Sequence, residues 1–202
     1  MKYEIVLASG SPRRKEILTQ IGASFRVQVS ECDESVGDLA PDETVLTLSK
    51  RKAYAVAKEC EGPVVVIGAD TVVSVEGRIL GKPKNREEAA QMIGMLSGKA
   101  HEVYTGVCIV RKEMDGTRSE IRFAECSGVK VLPLSRHQIE EYTDTLEPYD
   151  KAGGYAIQGL FAPYIEGIEG DYYNIVGLPV SGIFRRMYEN GIDLRSGETV
   201  YE

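Results

Sequence analysis

Two short, uninterrupted apolar runs constrain the fold of this 202-residue chain more than any other feature of its sequence. Residues 5–8 read IVLA and residues 64–67 read VVVI. A run of this kind is typical of a strand buried on both faces, as strands are when helices cover a sheet. Patterns typical of amphipathic helices lie between the two runs, at residues 12–21 and 42–58. The sequence therefore predicts an α/β fold.

The remaining strand and helix patterns follow one another without strict βα alternation. Alternating or apolar patterns predict strands at residues 25–29, 72–75, 78–80 and 101–109, and a returning strand ends near residue 132. Further helices are predicted at residues 85–96, from residue 135, and from Pro179 to Gly191, and the tail after Asp193 is predicted to fray. This order favours a mixed sheet with flanking helices, in a single domain over residues 1–202.

Composition and charge exclude several classes of protein. The chain is 43% hydrophobic and 27% charged, as soluble globular proteins are, and its net charge of −7 argues against a general nucleic-acid or anionic-membrane surface. The four cysteines form no CxxC pair and there are only two histidines, so neither a zinc site nor a disulfide framework is indicated. No segment resembles a signal peptide or a membrane span, and we expect a cytoplasmic protein.

The loop after the first apolar run combines small residues, a helix start and two arginines. Residues 9–14 read SGSPRR. Free backbone N–H groups and the helix dipole favour an anion at a helix start, and the guanidinium groups of Arg13 and Arg14 match phosphate oxygens. The segment is neither a GxxxxGK(S/T) loop nor a GxGxxG loop. The alternative is a surface helix capped by Ser11, with two solvated arginines.

Two charged residues stand in apolar surroundings. Lys52 shares one helix face with Leu48 and Val56, so it either extends past the edge of the core or directs its ammonium group to an anion in a cleft. Asp70 follows the run at 64–67 and two small residues, which places it at the predicted end of a strand. There it either caps a turn or faces a cleft.

Other charged residues lie in predicted loops. Lys82, between a glycine and a proline, fits an exposed turn lysine as well as a phosphate ligand. Asp33 and Glu34 belong to an acidic loop that is either solvated or able to bind a hard cation through oxygen. Together, these cations and carboxylates fit an anionic, metal-bridged substrate, and a triphosphate satisfies that description.

Several motifs in this order resemble the Maf family of nucleoside triphosphate pyrophosphatases. They are LASGSPRR at residues 7–14, DE at 33–34, KA at 52–53, GADT at 68–71, LGKP at 80–83, LSG at 96–98 and DKAG at 150–153. The resemblance runs from about residue 5 to residue 182. It implies a two-lobed α/β fold similar to inosine triphosphate pyrophosphatases, with the nucleotide in a central cleft. It also implies hydrolysis to a nucleoside monophosphate and pyrophosphate.

The resemblance also implies which residues act. Arg13, Thr71 and Gln158 match the subgroup that hydrolyses dTTP and UTP, rather than the one that prefers 7-methyl-GTP. Thr71 and Gln158 would contact the base. Asp70 would be the general base and, with Glu34, would hold Mg²⁺ or Mn²⁺. The residues implied to bind phosphate are Ser9, Arg14, Lys52 and Lys82.

Two other functions compete with hydrolysis of normal pyrimidine triphosphates. One is a nucleotide-sensing protein that restrains septum formation without turnover, a role with which the family has been linked. The other is a house-cleaning hydrolase for modified nucleoside triphosphates. The sequence leaves the oligomeric state open, and a homodimer is the commonest arrangement for a soluble oligomer.

Overall fold

A computed structural model describes residues 1–200 of the chain. The chain forms two compact units. The first contains Met1–Asp70, Thr105–Glu125 and the chain from Gly177 onwards, and the second contains Thr71–Tyr104 and Cys126–Val176. The prediction that residues 1–202 form a single domain stays a prediction.

The described residues form strands and helices in a mixed order. The strands are β1 (Glu4–Leu7), β2 (Arg26–Val27), β3 (Val64–Val75), β4 (Arg78–Leu80), β5 (Ala100–Lys112), β6 (Arg118–Val131) and β7 (Ile165–Glu169). The α-helices are α1 (Pro12–Gln20), α2 (Pro41–Glu59), α3 (Arg86–Leu96), α4 (Arg136–Thr143), α5 (Tyr172–Val176) and α6 (Val180–Glu189). None of the helices in this part of the chain has the length and apolar character that a bilayer crossing requires.

The strands are hydrogen-bonded in the order β2-β1-β3-β5-β6-β7, with β4 against β3. β1 runs parallel to both β2 and β3, whereas β4 is antiparallel to β3 and β7 is antiparallel to β6. The sheet is therefore mixed, and the predicted α/β fold with flanking helices is confirmed.

The two apolar runs lie side by side in the first unit. Glu4 pairs with Val64 and Leu7 with Ile67, in a parallel register. One side of this pair of strands packs against α2, whose Ala53 contributes to the same buried cluster. Both faces of the strands are covered, as the lack of polar alternation predicts.

The structure corrects the prediction that Asp70 ends a strand. β3 continues without a break to Val75, so that Asp70 lies inside a 12-residue strand. Gly68 and Ala69 look like a strand end in the sequence, but Gly68 serves another purpose. A Cβ at Gly68 would lie 2.7 Å from the backbone nitrogen of Ala53, so the missing side chain allows α2 to pack closely on β3.

Two further expectations, one about the start of α1 and one about the tail of the chain, differ from the structure. Ser11 occupies the N-cap position of α1, but its side chain makes no capping hydrogen bond, and Pro12 begins the helix. The tail after Asp193 does not fray over the described residues. Leu194 is fully buried, and Glu198 forms a β-bridge with Lys2, because the tail packs against the start of the chain.

The second unit has an aromatic core around Phe161. The Phe161 ring is fully buried and contacts the rings of Tyr142, Tyr155 and Tyr164 at centroid distances of 4.9 to 5.3 Å. His101 joins this core, since its Nε2 atom lies 2.7 Å from the Tyr155 hydroxyl. Its Nδ1 atom has no hydrogen-bond partner among residues 1–200. Such an environment favours the neutral imidazole.

Burial of His101 predicts a loss of stability in acid. Desolvation lowers the pKa of His101 from 6.5 to about 4, so the unfolded chain binds more protons than the folded chain between these two values. The free energy of unfolding therefore falls as the pH is lowered from 6.5, and His101 accounts for about 3 kcal/mol of that loss by pH 4. Urea unfolding at pH 7 and at pH 4 measures this loss of unfolding free energy.

The chain's two histidines provide a matched pair of variants for this measurement. His101→Gln is expected to show a difference between the two pH values that is smaller than that of the wild type by about 3 kcal/mol. His137 is exposed, and His137→Gln is expected to keep the wild-type difference. An equal acid response in the His101 variant and the wild type would contradict the assignment.

Candidate active site

A buried lysine holds two carboxylates together in the first unit. The Lys52 Nζ atom lies 2.6 Å from Asp70 Oδ1 and 3.0 Å from Glu34 Oε1. The side chain of Lys52 is only 11% exposed and that of Asp70 is 13% exposed, whereas Glu34 is largely open to solvent. Lys52 therefore does not extend past the core into water. It brings together one carboxylate from β3 and one from the acidic loop.

Two features determine the position of Lys52: the face of α2 on which it lies and the close packing of α2 on β3. In α2 it lies between Leu48 and Val56, both of which are buried. The neighbouring Ala53 rests on Gly68, as described above. Asp70 is two residues further along β3, on the same face of the strand as Gly68. This register brings Lys52 and Asp70 into contact.

Interactions with α2 hold the acidic loop so that Glu34 reaches Lys52. Arg51 Nη1 donates hydrogen bonds to the carbonyl oxygens of Asp33 and Ser35, at 3.0 and 2.7 Å. The Asp33 carboxylate accepts hydrogen bonds from the hydroxyl and the backbone N–H of Ser35, which lower the pKa of Asp33 below its ordinary value. Asp33 thus shapes the turn, and Glu34 supplies the carboxylate that faces Lys52.

The SGSPRR segment supplies a second buried cation in the same unit. Arg14 is 9% exposed, and its Nε donates to the carbonyl oxygen of Gly177 at 2.8 Å while its Nη1 donates to Ser9 Oγ at 3.0 Å. Arg13, the next residue towards the start of α1, is half-buried. Sequence reasoning missed the partner Gly177, because a carbonyl oxygen 163 residues away leaves no local signal.

The electrostatics of Arg14 favour an anion near it. Burial lowers the pKa of Arg14 below its ordinary value, and the charges of Asp70 and Glu34 oppose that shift. These two carboxylates are the ones that contact Lys52. A buried guanidinium favours negative charge nearby, which phosphate oxygens would supply.

Three of the predicted site residues lie in the second unit. Thr71 is half-buried in β3, whereas Lys82 and Gln158 are exposed on loops. The Lys82 loop is joined to a glycine-rich stretch at residues 150–159, because Gly153 N donates to the carbonyl oxygen of Gly81 at 3.0 Å. Gly153 has a φ of 69°, and a Cβ there would lie 2.9 Å from a methyl group of Val73. A glycine is therefore required where this stretch meets β3.

The two carboxylates that contact Lys52 could also act together as ligands of a metal ion. Glu34 Oε1 and Asp70 Oδ1 both lie within 3.0 Å of one ammonium nitrogen, so they can approach a common point. Within residues 1–200, no group of three or more histidine, cysteine, aspartate or glutamate side chains could hold a metal. Mg²⁺ is commonly held by one or two carboxylates together with substrate phosphates and water. This pair of residues fits that pattern.

Comparison with known proteins establishes the family. The family model described as "Maf-like protein" matches residues 4–190. The chain belongs to the Maf family. Among its relatives, a protein of Lachnoclostridium phytofermentans named "dTTP/UTP pyrophosphatase" is 49% identical over 95% of this chain and 98% of its own length. A protein of Bacillus cereus with the same name is 45% identical over 95% of this chain and 97% of its own length.

Two solved structures resemble this Maf-family chain distantly. A Mycobacterium abscessus structure titled "Nucleoside-triphosphatase / dITP/XTP pyrophosphatase" covers 93% of the chain and 97% of its own, with 12% identity and a TM-score of 0.40. The Ham1 protein of Staphylococcus aureus covers 63% and 71%, with 16% identity and a TM-score of 0.39. Similarity at this level carries no argument about the site of the Maf-family chain.

Proposed function

We propose that this Maf-family chain hydrolyses UTP and dTTP to the nucleoside monophosphate and pyrophosphate. The observation that carries the proposal is the contact of Lys52 with Asp70 and Glu34 in a unit that also buries Arg14. This arrangement combines cations that can bind phosphate with a carboxylate that can accept a proton. The names of the relatives supply the substrate class.

The chemistry proposed for the first unit is a displacement by water. Asp70 takes a proton from the water while the water oxygen bonds to the α-phosphorus. The bond from that phosphorus to the bridging oxygen breaks, and pyrophosphate leaves with the electron pair. Lys52 and Arg14, with the Ser9 hydroxyl, neutralise and orient the phosphate oxygens. Most of the catalytic effect would then come from positioning and charge.

A divalent cation, Mg²⁺ or Mn²⁺, is the proposed cofactor, held by Glu34 and Asp70. When bound, it would neutralise phosphate charge and polarise the phosphoryl oxygens. Glu34 is the more exposed of the two ligands, so it can turn towards a metal–nucleotide complex while Asp70 keeps its contact with Lys52. Arg13 and Lys82 are also proposed to bind the substrate.

Thr71 and Gln158 are proposed to recognise the base. Gln158→Ala is expected to reduce the preference in kcat/KM for UTP over CTP by about tenfold, because a glutamine amide offers both a donor and an acceptor to uracil. Initial rates of pyrophosphate release from UTP, dTTP, CTP and GTP measure this preference. Gln91→Ala, an exposed glutamine on α3, is the control. An unchanged ranking of the four nucleotides would rule out this role for Gln158.

A nucleotide panel at equal concentrations tests the proposed function. We expect release of pyrophosphate from UTP and dTTP above that from CTP and GTP, in the presence of Mg²⁺ or Mn²⁺. Binding without release would indicate the nucleotide sensor instead. A preference for modified triphosphates would indicate the house-cleaning hydrolase.

The cysteines of the chain bear on the compartment in which it acts. Cys32, Cys60, Cys108 and Cys126 form no disulfide with one another, which agrees with a reducing cytoplasm. We propose that the chain acts there on free nucleotides rather than on nucleic acid or at a membrane. A homodimer stays a prediction, and light scattering of the purified protein tests it.

A further inference from the structure

The Glu147 carboxylate and the Tyr142 hydroxyl hold the chain on either side of the turn that carries Gln158. Gly159 N donates to the carbonyl oxygen of Ala156 at 3.2 Å, which closes a turn with the exposed Gln158 inside it. The Glu147 carboxylate accepts hydrogen bonds from the two backbone N–H groups that follow, those of Leu160 at 2.8 Å and Phe161 at 3.3 Å. Glu147 therefore fixes the end of the turn.

The other end of the turn is reached through Tyr142. The hydroxyl of this buried residue lies 3.0 Å from Glu147 Oε1 and 3.2 Å from the carbonyl oxygen of Gly154. Its ring also packs on Phe161. Glu147 itself is anchored, since its carbonyl oxygen accepts a hydrogen bond from Lys151 Nζ at 3.0 Å. The carboxylate and the hydroxyl thus link the segment before the turn to the segment after it.

Gly159 leaves room for this carboxylate. A Cβ at Gly159 would lie 2.5 Å from Cδ and 2.6 Å from Oε1 of Glu147. The backbone of Gly159 is not in the left-handed region, so its conformation alone does not require glycine. The absence of a side chain lets the Glu147 carboxylate lie against the backbone of the turn.

We infer that Glu147 is a positioning residue for base recognition: its carboxylate holds the turn at residues 156–159 so that the Gln158 amide meets the pyrimidine in one orientation. This inference rests on the proposed function. Glu147 touches neither substrate nor reacting atoms in this role and acts through Gln158. An unheld turn would let the amide adopt several orientations, so that binding of UTP would lose its advantage over CTP.

The inference predicts a specific change in kinetics. Glu147→Ala is expected to raise KM for UTP by about tenfold with a smaller change in kcat, and to bring kcat/KM for UTP close to that for CTP. Glu147→Gln is expected to retain part of the preference, because its amide oxygen can accept from Leu160 N and its NH₂ group can donate to the Tyr142 hydroxyl, whereas the bond from Phe161 N is lost. Glu166→Ala, which removes an exposed carboxylate paired with Lys130, is the matched control.

A double variant separates positioning from a general loss of structure. In the Gln158→Ala background, Glu147→Ala is expected to cause no further change in the UTP-to-CTP ratio, because both changes remove the same recognition. Gly159→Ala tests the contact without removing the carboxylate. Its methyl group displaces the end of a flexible side chain, so the protein is expected to fold and to lose preference for UTP.

The outcomes distinguish this inference from the proposed function. A wild-type protein with no preference for UTP over CTP would overturn the proposed role of Gln158 and this inference with it. A wild type with that preference, alongside Glu147→Ala and Gly159→Ala variants that keep it, would overturn only the inference. An equal loss of kcat/KM for all nucleotides in these variants would also overturn it.

Discussion

Asp70→Asn is expected to lower the rate of pyrophosphate release from UTP by a factor of about 10² to 10⁴, the usual contribution of a general base. The amide has nearly the shape of the carboxylate, and its oxygen can still accept a hydrogen bond from Lys52, which lies 2.6 Å away in the native protein. It cannot take a proton from water. We therefore expect the protein to fold normally, and circular dichroism with steady-state kinetics measures both properties.

The control for this variant is another aspartate of the first unit. Asp115 is exposed in the turn between β5 and β6, where it accepts a hydrogen bond from Thr117 N. Asparagine can make the same bond, so Asp115→Asn is expected to keep wild-type activity. Turnover by Asp70→Asn within a few-fold of wild type would remove Asp70 from the mechanism.

Gly68→Ala is expected to weaken folding and catalysis together. The added methyl group would lie 2.7 Å from Ala53 N and against the carbonyl oxygen of Ser49, so the backbone of α2 must move away from β3. Overpacking of this kind costs about 1–3 kcal/mol of unfolding free energy, and more where backbone is displaced. Because α2 carries Lys52, the contact of Lys52 with Asp70 would lengthen and the rate would fall. Denaturant unfolding and kinetics measure the two effects.

A glycine in another helix provides the comparison. Gly94 lies inside α3, and a Cβ there would meet no atom within 4 Å. Gly94→Ala is therefore expected to stabilise the protein by about 0.5–1 kcal/mol, through helix propensity alone. If Gly68→Ala unfolded at the wild-type denaturant concentration, the close packing of α2 on β3 would not determine the site.

Local patterns predicted much of the scaffold and one central side chain of the site. The apolar runs at residues 5–8 and 64–67 identified β1 and the start of β3, because burial on both faces removes polar alternation. The spacing of Leu48, Lys52 and Val56 placed Lys52 on the buried face of its helix, since residues four apart share a helix face, but left open whether its ammonium group reached solvent or an anion. Its carboxylate partners were not predicted by spacing, because they depend on tertiary structure.

Small residues were misread where packing, rather than a turn, required them. Gly68 and Ala69 have the composition of a strand end, yet β3 continues through Asp70 because the glycine accommodates a helix. Ser11 has the identity of a helix cap but makes no capping bond. Glycine fits both a strand end and a close packing contact, and at Gly68 the neighbouring helix decides between them.

Glu147 shows the limit of sequence reasoning more clearly. Its carboxylate binds backbone groups 13 and 14 residues away, and its hydroxyl partner Tyr142 lies on the preceding helix. A lone glutamate before a proline indicates an exposed residue at the start of a turn. The hydrogen bonds that join Glu147 to Leu160 and Phe161 leave no local pattern in the sequence.

Analysis of the products formed from UTP tests the central claim most directly. The purified protein, with UTP and Mg²⁺, is expected to yield UMP and pyrophosphate in equal amounts by phosphorus NMR, and the Asp70→Asn variant is expected to form both at least about 10² times more slowly. Formation of UDP and inorganic phosphate, or equal product formation by the variant, would contradict the account.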